Sequence, residues 1–288
     1  MLKKRVVATL VVRNGIVVQS IGFQRYQPVG RPGIAVEFLN QWGVDEIILL
    51  NISATAAGQG PDMQIVREVA KCCFVPLTVG GGIGSLAQAR ELIRCGADKV
   101  AFNQAALNSP ELLEQTAEVF GSQCVVAAID AIQLPVGHRV YDYQRRQATK
   151  LAPGEFAASL VARGAGEVFI NSVDRDGSRR GFDRPLVREV CAAVEVPVIC
   201  CGGAGTPRHF VEVFQGTGVH AASAANFFHF TEHSVTTTKA VLHPNVTIRH
   251  DTHADYITSV FDTAGRLLKK PDRVMEDMRF MHIQKEVI

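Results

Sequence analysis

The chain has 288 residues, 47% of them hydrophobic and 20% charged; this is enough for one large core, and about 250 residues is the usual size of an eight-stranded α/β barrel. Its 30 basic and 28 acidic residues leave a formal net charge of +2 and are spread without a basic block, which excludes the footprint of a nucleic-acid or membrane-surface binder. No apolar stretch approaches the ~18 residues that span a bilayer, and seven cysteines without framework spacing point to a reduced, cytoplasmic chain.

The N-terminus is charged, but the apolar run that follows ends at Arg13-Asn14-Gly15 without a small-residue cleavage site. Arg5–Val12 therefore reads as a first strand rather than a leader. Seven more short apolar runs follow, at Glu46–Asn51, Leu77–Gly80, Lys99–Phe102, Val125–Asp130, Glu167–Ser172, Val198–Cys201 and Ala221–Ala224. They are almost free of polar residues, as strands buried on both faces are, and amphipathic stretches separate them. Ser85, Ser109-Pro110-Glu111 and Thr206-Pro207 supply helix starts. This alternation predicts a closed (β/α)8 TIM barrel over residues 1–245, with 246–288 as a C-terminal extension of no assigned role. The 19 residues of Asn14–Pro32 read as a long first loop, and loops beyond about 12–15 residues are often lids. Leu77–Ile83 and Val198–Ala204 echo each other four units apart, consistent with a half-barrel duplication or with chance.

Barrel chemistry belongs at the C-terminal strand ends, where the loops converge. Those ends carry Val11, Asn51, Gly80–Gly82, Asn103, Asp130, Asn171, Gly202-Gly203 and Asn226. Glycines there let backbone N–H groups approach an anion. Gly81 and Gly82, backed by Asn103, and Gly202 and Gly203, backed by Asn226, are expected to take a small molecule phosphorylated at both ends; tight turns alone would also require glycine. Asp130 serves as a general acid or base if the rim raises its pKa, or caps a neighbouring loop. Asp176 and Gly177 read as a turn that also touches ligand. At the opposite end, Arg5, Glu46, Lys99 and Glu167 open four strands, and their alternating signs predict a paired ring plugging the floor. His250 and His253 lack a third ligand, Cys72-Cys73 and Cys200-Cys201 lack Cys-x-x-Cys spacing, and His229 reads as packing, so neither metal nor cofactor is expected.

Pro76–Ile83, Gly96–Val100, Phe120–Asp130, Asp174–Gly177 and Gly202–Gly205 together resemble the cyclase subunit of imidazole glycerol phosphate synthase, the HisF family, over roughly residues 1–245. The resemblance implies a separate HisH-like glutaminase that supplies ammonia. It also implies two rim aspartates, on strands 1 and 5, that add the ammonia to a diphosphorylated ribonucleotide and close its imidazole ring. The strand 5 aspartate matches Asp130. The strand 1 aspartate has no counterpart, because the family's Cys-Leu-Asp-Val is here Thr9-Leu10-Val11-Val12, and valine neither donates nor accepts a proton. Gln19, Asn51 and Cys201 likewise replace the family's lysine, aspartate and serine. The floor is different: Arg5, Glu46, Lys99 and Glu167 match the family's charged ammonia gate, Thr78 lies in its passage, and Asp98 matches a residue of the glutaminase interface.

Phe23-x-x-Tyr26-x-x-Val29-Gly30-x-Pro32 and Asn171–Gly177 resemble the HisF-like branch of surface-sugar acetamidino pathways, which implies a sugar amidotransferase as a further partner. The expectation is an ammonia-channelling synthase subunit that does not cyclise. Two alternatives stay open: a genuine cyclase pairing Asp130 with a substitute such as Asp176, and a non-catalytic phosphosugar-binding regulator.

Overall fold

The structure, a computed structural model, describes residues 3–230 and 233–249 and, beyond them, 260–262, 266–268, 271 and 273. His250, His253 and most of the expected extension lie outside the described residues. Eight parallel strands form the barrel: β1 (Arg5–Arg13), β2 (Glu46–Asn51), β3 (Leu77–Gly80), β4 (Lys99–Phe102), β5 (Val125–Leu134), β6 (Glu167–Ser172), β7 (Val198–Cys201) and β8 (Ala221–Ala224). Each pairs with the next, and β8 returns to β1 with Arg5 opposite Ala221, which closes the expected (β/α)8 barrel.

Because side chains alternate across a strand, each strand feeds two cores. Val7, Ile48, Ala101, Val126, Ala128, Phe169, Ile199 and Ala221 pack inside the barrel. The alternate positions, such as Val6, Ile47, Val100 and Val168, pack against the surrounding helices. Phe169 is the largest side chain of the inner set, and truncating a buried Phe to Ala costs about 3–5 kcal/mol. Helix starts are fixed locally: the Asp62, Ser85 and Asp183 side chains accept backbone N–H bonds at the starts of Met63–Ala70, Leu86–Arg94 and Arg184–Ala193. Pro110 occupies the cap itself, one position before helix Glu111–Phe120.

The long first loop is instead regular structure. Ile16–Ile21 pairs antiparallel with the end of β1, and Arg25–Gly30 pairs with Ile16–Ile21. Asn14 and Gly15 take φ of 50° and 81°, the two-residue turn that joins right-twisted strands. A second hairpin extends β5, with Leu134 opposite Gly137 and the return strand running Gly137–Asp142. Both hairpins rise from the C-terminal rim. At the floor the chain stays on the barrel past the expected boundary at 245: Lys4 N donates to Thr247 O and Arg249 N to Lys4 O, each at 2.9 Å. Lys239, fully buried on helix Ser234–Leu242, donates to Asp45 Oδ1 at 2.6 Å.

Candidate functional site: a charged floor and a buried carboxylate at the rim

The four floor charges form a closed ring. Arg5 reaches Glu46 at 2.6 Å and Glu167 at 2.5 Å, and Lys99 reaches the same two carboxylates at 2.8 and 2.6 Å. The Glu46 side chain is 1% exposed, so the ring replaces water for a charge that could not be buried alone. Burial by itself would lower the pKa of Arg5, but Glu167 and Glu46 outweigh it and hold the guanidinium above its ordinary value. Lys99 is raised in the same way against its own desolvation, by Glu46 and then Glu167. Thr78 Oγ1 donates to Glu46 Oε1 at 3.1 Å and stands just inside the ring. Asp98 lies next to Lys99, where its carboxylate accepts from Leu77 N at 2.8 Å.

Above the ring the barrel interior is filled by the apolar side chains of the inner core. Higher on the β7, β8 and β1 side, Thr9 Oγ1 and Ser223 Oγ share a 2.7 Å hydrogen bond. Cys201 bonds to the same pair, and desolvation pushes its thiol up to about 12, so it stays protonated.

At the rim, Asp130 is 9% exposed. Asn171 Nδ2 donates to its Oδ1 at 3.1 Å and Asn103 Nδ2 to its Oδ2 at 3.0 Å. Burial raises the carboxyl to about 6; the two amides pull it down and the Asp176 charge pushes it up. A carboxyl titrating near neutrality can act as an acid or a base. Val11, facing the lumen one period above Thr9, adds no second acid. Asn51 turns aside: its Oδ1 accepts from Ser53 N at 3.1 Å and Ser53 Oγ at 2.8 Å.

The glycine segments are required by the backbone itself. Gly81 has φ of 107°, and a Cβ there would collide with Asn51 O. Gly203 has φ of 100°, and a Cβ would strike Gly181 O. Gly82 and Gly202 also adopt positive φ. Such turns bring bare backbone to the rim but do not by themselves specify an anion.

The asparagines expected behind those glycines are engaged elsewhere. Asn226 Oδ1 accepts from Ser20 N at 3.1 Å while its Nδ2 donates to Ser20 O at 2.6 Å. Asp176 Oδ2 accepts from Ser20 Oγ at 2.6 Å and Phe23 N at 3.1 Å, and Gly177 packs under the Ser20 carbonyl. These three residues latch the first hairpin over the rim. Asn103 spends both amide hydrogens on Ala128 O and Asp130.

Sequence reasoning placed Asn171 at the rim but gave it no role, since its grip on Asp130 depends on the β5–β6 register. Tyr143, on the second hairpin, bonds to Thr55 and lies close enough to Asp130 to feel its charge; burial raises its pKa, so it is a neutral hydroxyl. No local signal marked it. Among the described residues no group of three His, Cys, Asp or Glu side chains is arranged to hold a metal, and no helix is long and apolar enough to cross a membrane.

Fold and site together define a (β/α)8 barrel with a ring of four paired charges at its floor and the doubly bonded Asp130 carboxylate at its rim. A family model described as "Histidine biosynthesis protein" matches residues 5–234. A Bacillus cereus (strain G9842) protein named imidazole glycerol phosphate synthase subunit HisF is 43% identical over 251 residues, covering 86% of this chain and 100% of the relative. The HisF of Clostridium botulinum (strain Okra / Type B1) is 41% identical over 244 residues, 84% and 96% of the two chains. A Vibrio vulnificus (strain YJ016) protein, provisionally named imidazole glycerol phosphate synthase subunit hisF2, is 39% identical over 267 residues, 92% and 98%. The chain belongs to this histidine-biosynthesis family, among its HisF proteins.

Proposed function

We propose that the chain is the barrel subunit of a glutamine-dependent synthase, one that admits ammonia from a HisH-like glutaminase through its floor and passes it up the lumen without closing an imidazole ring. The observation that carries this reading is the contrast between the two ends. All four floor charges are present and mutually paired, whereas the rim has Val11 where a second proton-transferring group would stand beside Asp130. A two-carboxylate mechanism needs one group to give a proton while the other takes one. Asp176 Oδ2 is tied to the first hairpin by Ser20 and Phe23, so its carboxylate holds that hairpin in place.

The nitrogen acceptor on this reading belongs to a further enzyme at the rim, and an amidotransferase acting on a sugar fits the motifs of the first hairpin. A small phosphorylated molecule at the glycine turns remains compatible with that role. The test is reconstitution with a HisH-like glutaminase. Binding at the floor, with glutamine hydrolysis rising when the barrel is added, supports the reading. A glutaminase that neither binds the chain nor responds to it overturns the reading.

A further inference from the structure

Helix Pro32–Gln41 is apolar on two opposite faces. Pro32, Val36 and Leu39 pack into the core, while Ile34 and Phe38, one turn apart on the other side, are 55% and 50% exposed. Trp42, one turn further at the C-cap, extends the row. Its ring lies 5.9 Å from that of Phe38 and 5.8 Å from that of His233. Exposed apolar residues scattered singly need no explanation. Three at a spacing of four, on a helix whose only charge is Glu37, do need one, because a helix apolar all round is normally a covered one.

The end of the barrel chain reaches the same corner of the floor. Asp45, three residues after Trp42, accepts from Val6 N at 2.7 Å, and Arg249 N donates to Lys4 O at 2.9 Å. Thirty-nine residues follow Arg249, beyond the stretch that the family model matches. Among those described, Arg273 is helical. Asp272, a favoured N-cap residue type, precedes it. Val274, Met275, Met278 and Met281 then recur at helical spacing, with Glu276, Asp277 and Arg279 between them. Three of the chain's five methionines fall in this run. A thioether adapts to an irregular surface and settles about 5 Å from an aromatic ring, and Phe38, Trp42 and His233 supply such rings. Reach is no obstacle: the residues between Arg249 and Val274 span roughly 25–30 Å even without regular structure, against about 15 Å for the whole helix.

We propose that residues 274–281 dock as an amphipathic helix along Ile34, Phe38 and Trp42 of the same chain, laying Met278 and Met281 against the aromatic end of the row. The C-terminal extension is then a brace on the flank of the first helix, beside the floor, whether or not that floor admits ammonia.

Trp42 is the only tryptophan of the chain, so its fluorescence reads this face alone. Emission and acrylamide quenching are measured on the full purified chain, without a glutaminase, over a wide range of protein concentration. In Met278→Lys/Met281→Lys the emission is expected to move to longer wavelength and quenching to rise. Ile34→Lys, eight residues from the indole, is expected to give the same change, and combining the substitutions to add nothing, since both break one contact. Should Ile34→Lys not fold, the tail variant decides alone, because it alters no residue of the barrel. Unchanged Trp42 emission in the tail variant overturns the docking. Protection of Trp42 that is lost on dilution of the unaltered chain also overturns it and assigns the face to a second copy. No glutaminase takes part, so failure of the conduit reading leaves this result standing.

Discussion

Asn171 stands opposite Asp130 in the β5–β6 register and donates its side-chain amide to Asp130 Oδ1 at 3.1 Å. With Asn103 on the other oxygen, the one central rim carboxylate is clamped between two neutral donors and no cation, so burial dominates and its pKa rises to about 6. A carboxyl raised in the folded state stabilises the protein fully below its unfolded value and loses that contribution as pH climbs through the folded one. Stability is therefore expected to fall by roughly 3 kcal/mol, at 1.36 kcal/mol per pH unit, between about pH 4 and pH 6. Denaturant unfolding across that range checks it. In Asp130→Asn this segment of the profile should flatten, whatever the variant's absolute stability.

The floor ring gives a prediction of opposite character. Lys99→Ala leaves Glu46 and Glu167 sharing Arg5 alone, and breaking a buried ion cluster in this way costs about 3–5 kcal/mol. Lys99→Met keeps the aliphatic bulk yet loses the charge, and is expected to cost nearly as much. Thermal unfolding checks both. If the ring is merely a plug, glutaminase coupling should survive in whichever variant folds; if it is a gate, coupling should fail there.

The contrast between floor and rim shows which features are legible in the sequence. Glu46–Asn51 and Glu167–Ser172 are readable as strands because burial on both faces leaves uninterrupted apolar runs, and the charges opening them stand out for the same reason. The first hairpin is also signalled, by Asn14-Gly15 between apolar runs, but Pro28, Gly30 and Pro32 make the segment read as a loop. Val11 is informative only against the family pattern. The bonds of Asn171, Asn226 and Asn103 are not legible at all, because each depends on which strand ends the closed barrel brings side by side. The bonds of Asn103 to Asp130 and of Asn226 to the first hairpin are likewise a product of barrel closure.

The latch on that hairpin can be measured directly. Asn226 holds both backbone groups of Ser20, and Asp176 holds Ser20 Oγ and Phe23 N. Asn226→Ala leaves the buried Ser20 N–H and C=O without partners, at about 1–3 kcal/mol each. The loss is expected to open the hairpin locally rather than unfold the barrel. Amide hydrogen exchange at Ser20 and Phe23 should rise in Asn226→Ala and in Asp176→Ala, while exchange at Val126 and Phe169 in the barrel wall stays slow. Equal acceleration at all four positions would show that the latch supports the whole barrel.

The central claim is that this barrel carries ammonia without closing an imidazole ring, and the most direct test bypasses the glutaminase. The purified chain is incubated with excess ammonium salt at pH 8 and the diphosphorylated ribonucleotide on which HisF cyclases act, and imidazole product is quantified beside Val11→Asp, which restores a second rim carboxylate. The account predicts no product above the uncatalysed background from the unaltered chain, with any gain confined to Val11→Asp. Product formed at an enzymatic rate by the chain as it stands, with Val11 in place, would contradict it.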